Sequence, residues 1–350
     1  MVDTKLSTKN KPNVVTAQDV ANLAGVSRSV VSRTFTENGS LSEATKQRVL
    51  KAAEQLGYQV NFLAQGLNRR RSQLIGVVVA HINDPFRSLL LEALLKEIQA
   101  RGYQSMVTEV RPGDELDETM RRFTQYRVSG VIVTSGQPPE ALVKECLQYS
   151  IPIVGINREI DLPKVDVVCS DNHAGAKLAA DQLIAAGCRS IGWLNYKHST
   201  WSGLDREKGF QSSLKGWLEN KDHEYIEIQS ERNGYEGGFL AAEQLIASGQ
   251  RLDGIFCATA LMACGFLDGM RKNGLDAPKD FHIIGFDNTP LTAQYSYRLT
   301  TIEHDVVETA KRALWCLESR ARHEDMEQRV ELIPVKLITR NTSPIHSQDS

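Results

Sequence analysis

Six cysteines in 350 residues, none in a Cys-x-x-Cys pair, leave this chain without a disulfide framework or a thiolate metal site. Cys146, Cys169, Cys188, Cys257, Cys264 and Cys316 fall inside apolar strand or helix patterns and read as reduced packing residues. No apolar run approaches the roughly 18 residues of a membrane span. The opening MVDTKLSTKNKPN lacks the apolar centre of a secretory signal, so a cytoplasmic protein with no membrane partner is expected. Catalytic signatures are missing as well: no GxGxxG follows the first strand-like run, and there is no GxxxxGK[ST], GxSxG or HExxH. The eight histidines are scattered, and His304 has no evident Ser or Cys partner in the sequence. The expectation is a non-enzyme with no catalytic residue, no metal site and no cofactor. A net charge of only −2 would also argue against nucleic acid if it were evenly spread.

It is not evenly spread. Residues 1–73 hold 11 Lys and Arg against 5 Asp and Glu, a balance of +6, while the remaining 277 residues carry 30 against 38, a balance of −8. A segregated field of this kind favours phosphate contact at one pole. Within the basic end, TAQDVANLAGVSRSVVSRTFT at 16–36 reads as two short helices joined by a Gly turn. Thr16 is placed to cap the first helix with Asp19 returning the bond, and Val20, Leu23 and Ala24 share an apolar face. Gly25 ends it, Ser27 is expected to cap a second helix, and Val30, Val31 and Thr34 form the buried face of that helix. Arg28, Ser29, Ser32 and Arg33 then point outward. Arginine at the start of such a helix matches guanine O6 and N7 bidentately, whereas serine hydroxyls suit phosphates or any base edge. A third helix follows, opened by Ser42 and running from Glu43 to Leu56 with Val49, Leu50, Ala53 and Leu56 as its stripe, closed by Gly57. Residues 58–73 form a polar connector with weak helical potential over Asn61–Leu67 and a basic run at Arg69–Arg71.

From Leu74 the period changes to an alternating βα array. Strands are expected at 74–80, 103–110, 130–135, 151–156, 165–170, 190–195, 254–258 and 281–286. Helices are expected between them at Phe86–Arg101, Glu115–Tyr126, Pro139–Tyr149, Ala174–Ala186, Leu204–Leu218, Tyr235–Ala247 and Leu261–Lys272. Short apolar strands with helical crossovers predict open, doubly wound parallel sheets. So many strands favour two similar halves with a ligand cleft between them, outside the carboxyl ends of the strands. The fold class is therefore α/β: a small all-α helix-turn-helix head plus two doubly wound α/β subdomains. Expected boundaries are a disordered tail at 1–14, the head at 15–58, a hinge at 59–73, a core at 74–344 and a tail at 345–350. The core divides into subdomain one at about 74–171 plus 304–332, subdomain two at about 172–303, and a C-terminal return at 333–344.

With these residues in hand, the chain resembles the Lac repressor family of bacterial transcription regulators, from about Val14 to Thr342. The likeness rests on VTAQDVANLAGVSRSVVSRTF at 15–35, LSEATKQRVLKAAEQLGY at 41–58, VCSDNHAGAKLAADQLIAAG at 168–187, DREKGF at 205–210, APKD at 277–280, IIGFDNTP at 283–290 and LTTIEHD at 299–305. The resemblance implies a homodimer, with a tetramer left open, whose core is of periplasmic-binding-protein type. It implies two partners, a double-stranded DNA operator and a small-molecule effector. By position, Arg28, Ser29 and Arg33 match base readers, and Thr16, Ser27, Ser32, Thr45 and Asn61 match phosphate contacts. Leu67 matches a hinge leucine that wedges into the minor groove, with Ala64 one turn before it. The hinge departs from the family pattern: Val60 stands in place of Pro, and Gln65-Gly66 in place of Arg-Ser.

The family's ligand positions fall on Asp84, Phe86, Arg158, Ser202, Arg206, Asp287 and His304, to which Trp201 and Thr259 are added as neighbours of the cleft. An aromatic with arginines and a carboxylate suits a polyhydroxylated ligand, the ring stacking on Phe86 or Trp201. At 258–260, Ala-Thr-Ala replaces the usual Ala-Asn-Asp, so Thr259 and Ala260 remove an amide and a carboxylate. That leaves a sugar, a sugar acid or a sugar phosphate as effector. Release of a repressor by its effector is the implied mode. A corepressor-dependent regulator with a non-sugar effector, and a solute-binding protein without DNA function, are the alternatives.

Overall fold

The computed structural model describes residues 15–35, 41–59, 72–110, 116–134, 140–158, 162–323 and 326–344, in two compact units that divide at Ser72. The hinge positions Asn61, Ala64 and Leu67 lie outside the described residues.

The first unit is a three-helix head. Helix α1 (Ala17–Ala24) opens with a capping box: the Thr16 backbone N–H donates to Asp19 Oδ2 at 2.8 Å, and Thr16 Oγ1 in turn accepts from the Asp19 N–H at 3.4 Å. Gly25 ends the helix at φ 63°, a left-handed conformation that costs glycine nothing. Helices α2 (Arg28–Thr34) and α3 (Glu43–Leu56) complete a small core of Val20, Ala21, Ala24, Val31, Val49, Ala52 and Ala53. Each fully buried valine there contributes on the order of 1.5–3 kcal/mol. Two expectations fail locally. Leu23 is 51% exposed, and the buried face is formed by Val20, Ala21 and Ala24 instead, turned away from Leu23. Ser27 makes no capping hydrogen bond, because its hydroxyl pairs with Ser29 Oγ at 2.8 Å instead.

The second unit holds two six-stranded sheets among the described residues. In the first lobe, β1 (Leu74–Val79), α4 (Pro85–Ala100), β2 (Gln104–Glu109), α5 (Leu116–Gln125), β3 (Gly130–Val133), α6 (Glu140–Gln148), β4 (Ile153–Ile156) and β5 (Val165–Ser170) alternate as expected. The chain then crosses to the second lobe. There α7 (Asn172–Ala185), β6 (Ser190–Tyr196), α8 (Trp201–Leu214), β7 (Glu224–Ser230), α9 (Gly234–Ser248), β8 (Gly254–Cys257), α10 (Ala260–Lys272), β9 (His282–Phe286), α11 (Pro290–Ala293) and β10 (Thr300–His304) repeat the pattern. Helix α12 (Val306–Arg322) returns to the first lobe and packs on α4, β4 and β5, followed by β11 (Val330–Ile333); β12 (Val335–Ile338) goes back to the second. The strand orders are β11-β5-β4-β3-β1-β2 and β12-β10-β9-β8-β6-β7, parallel except that β12 runs antiparallel to β10.

Four of these strands, β7, β10, β11 and β12, were not expected. The linkers after Ser170, after His304 and at Pro334 thus join the lobes three times. In each sheet the order reverses beside the first strand, between β1 and β3 and between β6 and β8, and this places the crevice at those strand exits.

Candidate effector cleft and DNA-reading surface

The strand exits of both lobes enclose a cleft of about 230 Å³. The first lobe supplies Asp84, Phe86 and Arg87 at the start of α4, Thr134 after β3 and Asn157 after β4. The second supplies Asn195 and Tyr196 at the end of β6, Ser202, Gly203 and Arg206 on the first turns of α8, Asn233 before α9, Thr259 before α10 and Asp287 after β9. Strand exits are helix starts, so α4, α8, α9 and α10 all point their N-terminal ends here, adding partial positive charge. Gly203 stands close to Ser199: a Cβ there would lie 2.0 Å from Ser199 Oγ, so that hydroxyl would have to turn away.

Charge in the cleft is organised around Arg206. Its guanidinium lies 3.6 Å from the centre of the Phe286 ring, Nη1 donates to the Ala258 carbonyl at 2.6 Å, and Nε donates to Asn172 Oδ1 at 3.0 Å. Nη1 also stands 3.6 Å from Asp287 Oδ1. Burial lowers the pKa of Arg206, opposed by the carboxylates of Asp287, Asp205 and Asp84. Asp84 caps α4 by accepting from the Arg87 N–H at 3.1 Å, and burial with the nearby Asp287 charge raises its pKa. Asp287 itself sits at φ 110°, a strained backbone for a non-glycine residue at the head of the cleft.

Six of the nine expected effector residues line this space: Asp84, Phe86, Ser202, Arg206, Thr259 and Asp287. Three do not, each for a reason the sequence hides. Trp201 turns away and packs against the apolar cluster of the first lobe around Phe123 and Val143, so it ties the lobes together. Arg158 is 5% exposed and lies behind the wall, near Arg87. His304 is buried beneath Phe86, their rings stacked at 4.2 Å.

The sequence reading that His304 lacks a serine partner is also corrected. Ser170 Oγ lies 2.6 Å from its Nδ1 and Asp287 Oδ1 2.8 Å from its Nε2. A hydrolytic triad would pair the serine with Nε2 and keep it open to substrate. Here the serine is on the other nitrogen and 2% exposed, so the chain Ser170–His304–Asp287 braces one lobe against the other. Ser202 braces them as well, its Oγ donating to the Asn157 carbonyl at 2.9 Å.

Asn157, Asn195 and Tyr196 were missed although they stand at strand exits expected from sequence, where the same rule would have found them. Asn233 was missed because β7 was. Thr259 is half committed, since its Oγ1 caps α10 by accepting from the Met262 N–H at 3.2 Å.

On the head, Ser27, Arg28, Ser29, Ser32 and Arg33 are all exposed along one side of α2, and Thr16 is exposed beside them in sequence at the start of α1. Arg33 Nε donates only a long 3.4 Å bond to the Ser29 carbonyl, and Thr45 shares a 2.9 Å bond with Ser42 at the start of α3. This is a short helix with two arginines and several hydroxyls outward and valines inward, the shape that enters a major groove.

Residues 16–61 match the model of the bacterial regulatory proteins, lacI family, and residues 180–343 that of the periplasmic binding protein-like domain. The chain is similar to the ribose operon repressor of Halalkalibacterium halodurans, 28% identical over 94% of this chain and 97% of that protein. It is also similar to the transcriptional repressor PurR of Mannheimia succiniciproducens, 27% identical over 95% and 100%. Among solved structures, the Lac repressor dimer bound to operator and the anti-inducer ONPF superposes with a TM-score of 0.82, at 24% identity over 94% of this chain and 99% of that one.

Proposed function

We propose that this chain is a member of the Lac repressor family of bacterial transcription regulators and represses transcription in the cytoplasm as a homodimer that binds a two-fold operator and is released by a small carbohydrate-like effector. The observation that carries this reading is the joining of two separately folded devices in one chain, an exposed Arg and Ser strip on α2 and a charged two-lobed cleft. On this reading Arg28, Ser29 and Arg33 read bases, and Thr16, Ser27, Ser32 and Thr45 hold phosphates. Asn61, Ala64 and Leu67 belong to the connector at 59–73, with Leu67 as the minor-groove wedge. Asp84, Phe86, Ser202, Arg206, Thr259 and Asp287 hold the effector, while Trp201 and His304 couple the lobes.

Because strand-linkers join the lobes three times, an effector that changes their angle changes the whole first lobe, which continues directly into the connector. The coupling is reciprocal: whatever loosens DNA on effector binding must weaken the effector on DNA by the same factor. Footprinting of the full chain on the DNA upstream of its own gene tests the reading. Protection of two half-sites related by a dyad, lost when effector is added, is expected. Protection of a single asymmetric half-site would reject the dimeric mode, and tighter protection with effector would make the molecule a corepressor.

A further inference from the structure

His304 ends β10 at the linker into α12, and Ser170 ends β5 at the linker into α7, so the hydrogen bond between them joins two of the three crossings. Nδ1 of the ring, 2.6 Å from Ser170 Oγ, is tied to the first lobe, and Nε2, 2.8 Å from Asp287 Oδ1, is tied to the second. The face of the ring lies on Phe86 of α4 at 4.2 Å and its edge meets Phe286 of β9 at 4.8 Å. A group able to gain a proton is thus held, 4% exposed, at the seam between the lobes. Two other ties across that seam, Trp201 in the first-lobe cluster and Ser202 on the Asn157 carbonyl, carry no charge.

The surroundings suit the neutral ring. A neutral imidazole has one donor and one acceptor, which Asp287 and Ser170 answer in turn. A second proton would make Nδ1 a donor and force the Ser170 hydroxyl to accept. That hydroxyl, in a residue 2% exposed, makes its one hydrogen bond among the described residues to this ring, so its own proton would then be buried without an acceptor. The charged groups on the packed elements offer the cation one shared counterion. Asp287, after β9, already stands 3.6 Å from the Arg206 guanidinium of α8. Glu303, the neighbour on β10, is engaged by Asn288 and by Lys336 of β12. Asp84, Asp171 and Asp305 cap α4, α7 and α12, each accepting a backbone N–H of its own helix. Burial lowers the pKa of His304, opposed by Asp287 and Glu303, with Arg206 adding to the depression.

We propose that His304 is a proton-operated latch: neutral, it holds Phe86, Ser170 and Asp287 together across the seam, and protonated, it lets the lobes part. Any arrangement that opens the seam hydrates the ring, which then takes a proton more readily, so acid draws the molecule toward that arrangement. One proton moves the equilibrium by at most about tenfold for each pH unit. Because Phe86 and Asp287 both line the cleft, parting them takes the cleft apart as well. The latch stands on the geometry of the seam, while its consequence for operator binding rests on the effector-cleft reading.

The test is acrylamide quenching of tryptophan fluorescence in the full chain between pH 8 and pH 5, with far-UV circular dichroism followed alongside. Trp201 is the reporter, because it leaves the first-lobe cluster when the seam opens, and Trp201→Phe identifies its share of the signal among the four tryptophans. Wild-type quenching is expected to rise as pH falls below about 6.5, no more steeply than one proton allows, with the dichroism unchanged and full return at pH 8. In His304→Gln, or in His304→Asn should the first variant not fold, the rise should be lost. A level wild-type curve, a rise retained in the non-titrating variant or in Trp201→Phe, or a rise that accompanies loss of dichroism would each overturn the latch, as would failure of both variants to fold at pH 8. The same step in operator affinity, absent from the non-titrating variant, carries the latch through to DNA. A quenching step with no step in affinity upholds the latch and removes its link to the effector reading.

Discussion

His304 shows how much a single buried ring carries here. It is stacked on Phe86 of the first lobe, bonded to Ser170 of the first and Asp287 of the second, and edge-on to Phe286. Burial lowers its pKa, against the raising effect of Asp287 and with Arg206 adding to the depression. The ring is therefore neutral in the folded state at pH 7, with Nε2–H donating to Asp287 Oδ1 and Nδ1 accepting from the Ser170 hydroxyl. A histidine that protonates more readily unfolded than folded withdraws stability as pH falls. The loss begins near the ordinary histidine value of about 6.5 and is complete once pH is below the depressed folded value. His304→Gln keeps a donor and an acceptor without titrating. Unfolding of the variant, followed from pH 8 to pH 5, is expected to show a shallower loss of stability than wild type. Parallel curves would place the acid sensitivity elsewhere.

At this scale the sequence was informative about position and blind to direction. Asp84, Phe86, Arg206 and Asp287 stand at strand exits, and the βα alternation alone points them at a cleft. Trp201 and Ser202 are adjacent, yet one ties into the first-lobe core and the other faces the cleft, a difference set by packing between lobes that no local pattern encodes. The same holds for Arg158, whose burial depends on the neighbouring strands.

Among the elements, those with a one-sided or continuous apolar signal were legible. LIGVVV, with five of its six residues buried, reads as a central strand. EYIEIQS at β7 pairs in the sheet only with β6, leaves several residues exposed, and carries glutamates that mask its alternation. VKLI and VELI at the other edges are four residues each. TTIEH is buried through threonines that hydrogen-bond along the C-terminal segment, such as Thr300 Oγ1 to the Arg340 carbonyl at 3.1 Å, so its apolar count is low.

The head offers the sharpest element-scale prediction, because its seven-residue core is small and Val49 of α3 is fully buried against α1 and α2. Val49→Ala removes two methyl groups and is expected to cost about 1.5–2 kcal/mol, a large fraction of what so short a unit can hold. DNA binding should fall while the stabilisation of the core by effector is unchanged. Calorimetry resolving two transitions would check it: a shift in both would show that the two units do not unfold independently.

On the scale of the whole molecule, residues 1–73 carry a basic balance against the acidic remainder, a segregated field that favours phosphate contact by the basic end. On the proposed reading, a dimer meets DNA through two copies of α2, so the operator is expected to carry the same symmetry as the protein. The most direct measurement is selection of bound duplexes from a random-sequence pool by the full chain, repeated with Arg28→Ala. The account predicts an inverted repeat for the wild type. The variant should bind it about 1–3 kcal/mol more weakly per head and lose preference at one base pair in each half-site, with the others retained. An asymmetric or featureless set of sequences, or a variant weakened equally on every sequence with its preferences intact, would contradict it.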